Sequence, residues 1–222
     1  MMQGKLIVLE GIDGSGKSTQ YRKLCERLSQ EGKSFRALTF PRYQEESSAL
    51  IRQYLSGAFG SKPGDVNAYA ASTFYAVDRF ASYKTDWQSA YEQGDLILCD
   101  RYTTSNACHQ GSKLRAEERQ HYFDWLYDFE FRLLGLPKPD LVLYLDVDID
   151  VSRRQMELRQ RSTGTQADIH ERDFAYLAAC LEAGRAACAH YGWHRIACVR
   201  GASMRPIEEI HEEICQLVHA LI

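Results

Sequence analysis

The sequence predicts a three-layer α/β fold in which a five-stranded parallel sheet is flanked by helices. Two observations lead to this prediction: short apolar runs alternate with longer segments of helical periodicity, and the runs are continuously apolar. Continuous runs are typical of parallel strands covered on both faces, and their alternation with helices implies βαβ units with right-handed crossovers. With 222 residues, the chain is expected to form one domain, 1–222, because domains contain about 100–200 residues.

Five runs are predicted as fully buried strands: Leu6–Leu9, Phe35–Phe40, Leu96–Cys99, Leu141–Leu145 and Ile196–Val199. Between and after them, apolar spacing predicts helices over residues 17–31, 47–57, 67–93, 115–134, 148–160, 171–190 and 206–221. The last helix has the clearest pattern, because its apolar residues recur at spacings of three and four and Pro206 stands near its start.

The composition limits the kinds of partner to expect. Lys and Arg total 27 and Asp and Glu total 30, which gives a net charge of −3. This balance excludes a polycation that coats nucleic acid, although it permits a local basic site. The seven cysteines include no C-x-x-C pair, so we expect reduced thiols. The apolar run at Leu6–Leu9 is too short for a signal or membrane segment, and we expect a cytoplasmic protein without a membrane partner.

The clearest motif is Gly-Ile-Asp-Gly-Ser-Gly-Lys-Ser at residues 11–18, which fits G-x-x-x-x-G-K-[ST] between a predicted strand and a predicted helix. The glycines allow successive backbone N–H groups to turn toward one anion. Lys17 would neutralise the β- and γ-phosphates of ATP, and the Ser18 hydroxyl would ligate Mg²⁺. The predicted ATP-binding residues are Gly11, Gly14, Ser15, Gly16, Lys17, Ser18 and Thr19.

Charged residues stand inside this loop and at the ends of other strands. Asp13 is either a helix cap or the acceptor for a substrate hydroxyl, because a carboxylate beside phosphates needs another partner. Asp100 and Arg101 directly follow the third strand, where open α/β sheets bind ligands, and an arginine fork suits phosphate. A structural Asp–Arg pair is the alternative. Asp146 occupies a comparable position after the fourth strand, and it is a weaker candidate for a ligand-binding residue. The candidate metal ligands are Ser18, Asp13 and Asp100.

Two further segments point to an acceptor site. The Phe-Pro-Arg-Tyr segment 40–43 ends the second strand, since proline cannot continue a central ladder. Tyr75 and Arg79 are four residues apart on a predicted helix and share one face, where they could stack on a base and donate to its carbonyl edge. The alternative is that Phe74 and Tyr75 are ordinary packing residues. Residues 159–170 are polar and lack apolar periodicity, which predicts an exposed loop or an arginine-rich lid.

Together these motifs resemble the thymidylate kinases, within the P-loop nucleoside-monophosphate kinases. The segments that carry the resemblance are Leu9–Thr19, Phe40–Tyr43, Tyr75–Arg79 and Asp100–Asn106, with the lid at about 153–170. The resemblance implies a P-loop NTP hydrolase-type fold and Mg²⁺-dependent transfer of the γ-phosphoryl group from ATP to dTMP. The product, dTDP, would serve dTTP biosynthesis. It also implies a homodimer that works on small molecules.

The resemblance assigns roles to individual residues. The implied dTMP-binding residues are Asp13, Arg42, Tyr43, Phe74, Tyr75, Arg79, Arg101, Ser105, Asn106, His109 and Gln110. The implied catalytic residues are Lys17, Asp13, Arg101, Arg154, Arg159 and Arg161, the last three from the lid. Gly14 stands where one branch of the family places Arg, which resembles the arrangement in which the lid supplies the arginine. His109 falls where many members have Tyr.

Alternative functions remain open at this point. A deoxynucleoside kinase would phosphorylate a 5′-hydroxyl and favour a carboxylate base near the sugar. Arginines on the acceptor side instead suggest a substrate that already carries a phosphate. Another deoxynucleoside-monophosphate kinase, or a P-loop regulator that binds ATP without transferring a phosphoryl group, are the other possibilities.

Overall fold

The computed structural model of the protein describes residues 3–163 and 174–222, apart from the side chains of 159–163. A parallel sheet lies at its centre, and its strands are, in chain order, β1 (Lys5–Glu10), β2 (Phe35–Thr39), β3 (Leu96–Asp100), β4 (Leu141–Asp146) and β5 (His194–Ala197). Their spatial order is β2-β3-β1-β4-β5. This confirms the predicted five-stranded α/β class.

Helices connect the strands. They are α1 (Lys17–Gln30), α2 (Ala49–Leu55), α3 (Ala68–Ser82), α4 (Gln88–Glu92), α5 (Thr103–His109), α6 (Ala116–Tyr127), α7 (Ile149–Thr163), α8 (Phe174–Tyr191) and α9 (Ile207–His219). A π-helical turn at Tyr83–Trp87 joins α3 to α4, and another at Asp128–Leu133 extends α6. A short hairpin, β6 (Val199–Arg200) and β7 (Ser203–Met204), precedes α9.

Both faces of the sheet are covered, as β1 shows directly. Leu6 and Val8 belong to an apolar cluster on one face, which contains residues of α3, α5, α6 and α8. Ile7 and Leu9 belong to a second cluster, on the face that packs against α1 and α9. Successive side chains of a strand point to opposite faces. A fully apolar strand is therefore what a central position in this three-layer arrangement requires.

The predicted burial of two strands was wrong. In β2, Arg36, Ala37 and Thr39 are exposed, and in β5 three of the four residues are exposed. Both are edge strands, which have a neighbour on one side alone. Strand order is a tertiary property, and the apolar content of these two runs does not reveal it.

The helix predictions also need corrections. The segment predicted as one helix over 67–93 contains the π-helical turn between α3 and α4, and α5 was not predicted. Thr103, Thr104 and Ser105 open α5, and short polar side chains favour turns and caps over helix interiors. All seven cysteines are free thiols, and six are buried. Among the described helices, none combines the length and the apolar character that crossing a bilayer demands.

Candidate active site

The carboxyl ends of three neighbouring strands form one crevice. Leu9 of β1 and Thr39 of β2 are both in register with Asp100 of β3. The chain segments that follow these strands are therefore brought together: the glycine loop after β1, residues 40–43 after β2, and Arg101 after β3. This is the edge at which open α/β sheets bind ligands.

The glycine loop requires glycine at two positions for different reasons. Gly16 has a φ of 85° immediately before α1, a left-handed conformation that costs a glycine little. Gly14 has a φ of 77°, and a Cβ there would lie 2.4 Å from the carbonyl oxygen of Ser152. The Ser152 hydroxyl in turn donates to the Asp13 carbonyl oxygen over 2.6 Å. The loop is thus seated on α7 with no room for a side chain at residue 14.

Two cavities of similar size adjoin the loop. One, of about 220 Å³, is lined by Ile12, Asp13, Gly14, Ser15, Gly16, Lys17, Ser18, Thr19 and Gln155. The other, of about 230 Å³, is lined by Asp13, Phe40, Pro41, Tyr43, Leu55, Tyr75, Arg79, Arg101, Tyr102, Ser105, Asn106, His109 and Gln110. We call them the loop cavity and the aromatic cavity. Asp13 lines both, so two small molecules bound in them would meet at this residue.

Lys17 is buried at the base of the loop cavity. Its Nζ donates to Asp100 Oδ1 over 2.6 Å. Burial lowers the pKa of the Lys17 ammonium, an effect that the neighbouring Arg101 reinforces and Asp100 opposes. The ion pair therefore provides a cation that an incoming phosphate can share, and the P-loop lysine is a common phosphate ligand.

Arg101 is held among acidic and polar groups in the aromatic cavity. Its Nη2 donates to Asp13 Oδ1 over 2.7 Å, and its Nη1 lies 3.6 Å from Glu10 Oε1. Burial disfavours the charge, but Asp13 and Glu10 outweigh this effect and raise the pKa of Arg101 above its usual value. Its φ of 68° is left-handed, a strained conformation for a residue other than glycine that is often retained at functional sites.

The structure distinguishes the two candidate rings of α3. Tyr75 lines the aromatic cavity. Phe74 packs with its ring centroid 6.5 Å from that of Tyr54 and 5.7 Å from that of Phe59. Of the two rings, Tyr75 is therefore the one that lines the aromatic cavity.

Arg42 lies beside the cavity rather than in its lining, where its backbone N–H and its Nε both approach the carboxylate of Asp78.

The lid arginines are only partly described. Arg154 is exposed on α7, and its Nη2 donates to the carbonyl oxygen of Ala202 over 2.6 Å. It lines neither cavity. The side chains of Arg159 and Arg161 lie outside the described part of the structure, as do residues 164–170 of the predicted lid.

Several residues of the site carry no role in the sequence interpretation. Glu10 is fully buried and accepts from the hydroxyls of Thr104 and Ser105. Asp78 anchors Arg42, and Gln155 of α7 lines the loop cavity. Glu10 lies within the segment Leu9–Thr19 and Asp78 within Tyr75–Arg79, two of the segments that carry the family resemblance. The sequence therefore contained a signal for both residues. Glu130 binds Arg79, which is 51 positions away, and no local pattern predicts such a pair.

The predicted magnesium ligands are placed near each other without forming a closed cage. Ser18 is exposed in the first turn of α1 and lines the loop cavity, whereas Asp100 is paired with Lys17. Asp13 is paired with Arg101. Within residues 3–163 and 174–222 there is no group of three or more His, Cys, Asp or Glu side chains that could hold a metal ion. The candidate ligands are hydroxyl and carboxylate oxygens, and their chemistry fits Mg²⁺. This ion usually keeps several waters and takes further ligands from substrate phosphates, so it does not need a closed cage of protein side chains.

The parallel sheet, the glycine loop and the strand-end crevice define a P-loop nucleotide-binding protein. The thymidylate kinase family model matches residues 9–214, and the chain belongs to this family. The chain is 34% identical to the thymidylate kinase of Mycobacterium tuberculosis over 203 residues, which are 90% of this chain and 93% of that protein.

Other comparisons agree with this assignment. The chain is 29% identical to a probable thymidylate kinase of Pyrococcus abyssi over 227 aligned residues, which cover 100% of this chain and 99% of that protein. A solved structure of thymidylate kinase from Candida albicans superposes with a TM-score of 0.71 at 22% identity, covering 98% of this chain and 92% of that one. At this level of identity, the structural likeness supports the fold alone.

Proposed function

We propose that this protein transfers the γ-phosphoryl group of ATP to dTMP, giving ADP and dTDP. The observation that carries the proposal is the position of Asp13, which lines both the loop cavity and the aromatic cavity. ATP in the loop cavity and dTMP in the aromatic cavity would bring the γ-phosphate and the acceptor phosphate together at this residue. Holding two reactants in this way makes the reaction effectively unimolecular.

The polar groups of the two cavities suit phosphoryl transfer. The acceptor phosphate is an anionic oxygen nucleophile, because its second pKa is about 6, so no strong base is needed. Arg101 and Arg42 would bind this phosphate, and Asp13 would accept a hydrogen bond from the sugar hydroxyl. Lys17 and the loop N–H groups would bind the β- and γ-phosphates of ATP. Catalysis is then positioning and charge stabilisation.

Mg²⁺ is part of the proposal, with Ser18 and Asp100 as the residues that would hold it. The chemistry that Mg²⁺ supplies when bound is the neutralisation of charge on the β- and γ-phosphate oxygens. Ser18 supports this role because it lines the loop cavity from the first turn of α1. For Asp100 to contribute, its carboxylate has to be shared with Lys17, which already contacts Oδ1.

The arginine that stabilises the transferring group is proposed to come from the lid. Gly14 leaves no space for a side chain, since a Cβ would lie 2.4 Å from Ser152. The glycine loop therefore cannot supply an arginine at this position. Arg154, Arg159 and Arg161, all on α7, are the candidates, and closure of the lid would also exclude water from the site.

A coupled assay of ADP formation tests the proposal. We expect Mg²⁺-dependent activity with dTMP and none with thymidine, because Arg101 and Arg42 supply cations for a phosphate already on the acceptor. Activity with thymidine alone would instead identify a deoxynucleoside kinase. Absence of thermal stabilisation by dTMP would favour a regulator that binds ATP, since ligands stabilise the folded state that binds them. The homodimer and the cytoplasmic location stay predictions, which light scattering of the purified protein and cell fractionation test.

A further inference from the structure

Glu130 is a fully buried carboxylate at the back of the aromatic cavity. It lies in the π-helical turn Asp128–Leu133 and has no exposed surface. Its oxygens accept four hydrogen bonds, two from Arg79 at 2.5 and 2.7 Å, one from Thr103 at 2.7 Å and one from Asn106 at 3.2 Å. Buried charges are costly unless paired and hydrogen-bonded, and this one is saturated by residues of α3 and α5.

Glu130 fixes the direction of the Arg79 guanidinium. The carboxylate binds Nε and Nη2 in a bidentate manner, and Nη1 donates to the carbonyl oxygen of Tyr102 over 3.3 Å. Arg79 is itself 2% exposed yet lines the aromatic cavity. A guanidinium has five N–H donors in a rigid fork. The donors not used by Glu130 and Tyr102 are therefore available to a carbonyl oxygen bound in the cavity.

Glu130 also determines which way the Asn106 amide faces. Asn106 Nδ2 lies 3.2 Å from Glu130 Oε1 and 3.2 Å from the carbonyl oxygen of Ser72. A carboxylate and a carbonyl only accept hydrogen bonds, so both require the amide nitrogen to face them. The Oδ1 oxygen of Asn106 is then left for the cavity that this residue lines.

The two orientations together present a donor and an acceptor to a bound base. An arginine N–H matches the O4 acceptor of thymine or uracil, and the Asn106 oxygen matches the N3–H donor beside it. Cytosine has the opposite pattern at these positions, an amino donor at C4 and an acceptor at N3. A site built for one pattern rejects the other because buried polar groups are left unpaired.

We propose that Glu130 is a positioning residue that selects a pyrimidine with a 4-keto group and an N3–H over a 4-amino pyrimidine, by orienting Arg79 and Asn106. This inference rests on the proposed function for the identity of the substrate. Glu130 contacts no substrate itself and acts through these two side chains.

The test is the isosteric variant Glu130→Gln, assayed with dTMP, with dCMP, and with the 2-pyrimidinone deoxynucleoside monophosphate, which lacks both O4 and N3–H. We expect KM for dTMP to rise by about 10- to 100-fold, because hydrogen bonds to charged groups contribute about 1.5–3 kcal/mol. We expect KM for ATP to stay constant, kcat to fall less than kcat/KM, and the preference for dTMP over dCMP to narrow. With the 2-pyrimidinone substrate, E130Q and the wild type should have the same KM.

Two further variants separate positioning from stability. Thr103→Val removes one hydrogen-bond donor to Glu130 and keeps the shape of the side chain at residue 103. It should therefore raise KM for dTMP, but by less than E130Q does. If E130Q does not fold, T103V tests the role of Glu130 in its place. Asp140→Asn alters a carboxylate that accepts from Leu6 N and pairs with Lys5 at the opposite end of the sheet. It should lower the melting temperature and leave KM for dTMP unchanged.

The outcomes distinguish this inference from the proposed function. Wild-type protein that does not phosphorylate dTMP contradicts the proposed function, and the thermal shift induced by dTMP then compares the variants without turnover. An active wild type with an unchanged KM in both E130Q and T103V overturns the role of Glu130 alone. An equal rise in the KM of E130Q for dTMP and for the 2-pyrimidinone substrate also overturns it, because a general structural effect does not depend on the base edge.

Discussion

The Nε2 atom of His109 lies 3.1 Å from Nη1 of Arg101. A guanidinium only donates, so the imidazole accepts through Nε2 and carries its proton on Nδ1. Nδ1 lies 3.6 Å from the Cys180 sulfur, and the ring centroid is 6.2 Å from that of Tyr176. His109 thus helps to hold the arginine that is proposed to bind the acceptor phosphate.

His109→Gln and His109→Leu should behave differently. A glutamine oxygen can accept from Arg101, whereas leucine cannot, and we expect KM for dTMP to rise about tenfold in the leucine variant alone. H109Q should keep the KM of the wild type for dTMP because it keeps an acceptor for Arg101 Nη1. A leucine variant with the KM of the wild type for dTMP would contradict this role.

Gly14→Ala should weaken ATP binding. The new Cβ would lie 2.4 Å from the backbone of Ser152 at a φ of 77°, so the loop has to move away from α7. We expect a higher KM for ATP and a loss of stability of about 1–3 kcal/mol, measured by steady-state kinetics and urea unfolding.

Gly32→Ala is the matched control for this variant. Gly32 has a φ of 70° but no neighbouring atom within 4 Å of a Cβ. It should lose stability from backbone strain while the KM for ATP stays at the wild-type value. If Gly14→Ala binds ATP as well as Gly32→Ala does, the close approach of the loop to α7 is not important for the donor site.

Local and distant features of the site differ in how far the sequence predicts them. Residues 11–18 were predictable because the loop works through contiguous backbone N–H groups, and the central strands because burial on both faces leaves a continuous apolar run. The edge position of β2 depends on strand order, which no local pattern encodes. From the sequence alone, Glu130 is an ordinary acidic residue in a predicted helix. The proposed role of Glu130 depends on folding, which brings it into contact with Arg79 and Asn106.

Lys113 should make the folded state more stable at alkaline pH. Its Nζ donates to Tyr54 Oη and to the carbonyl oxygen of Val66, and burial lowers the pKa of the ammonium to about 8, a shift that Cys180 opposes. Between about pH 8 and the ordinary value of 10.5, the unfolded chain binds more protons than the folded one. Stability therefore rises with pH across this window. Urea unfolding of the wild type against Lys113→Met isolates the effect, because the tyrosines titrate in both proteins. A parallel pH dependence of the two would refute it.

Replacing Arg154, Arg159 and Arg161 together by Ala should reduce kcat by about 10³- to 10⁵-fold, the range in which arginine fingers contribute. KM for dTMP should change little, because Arg101 and Arg42 bind the acceptor phosphate. Each single variant, assayed in the same way, then identifies the arginine responsible. Arg154 donates to the carbonyl oxygen of Ala202 in the described structure. If Arg154 is the arginine that stabilises the transferring group, it has to leave this contact.

Arg153→Ala is the control for the lid arginines, because Arg153 neighbours Arg154 on α7 but pairs with Glu157 over 3.0 Å. It removes the same charge from the same helix, and exposed pairs of this kind contribute about 1 kcal/mol or less. Its kcat should match the wild type. A triple variant with wild-type kcat would exclude the lid as the source of the arginine. Since Gly14 leaves the loop no room for one, stabilisation of the transferring group would then depend on Lys17 and Arg101.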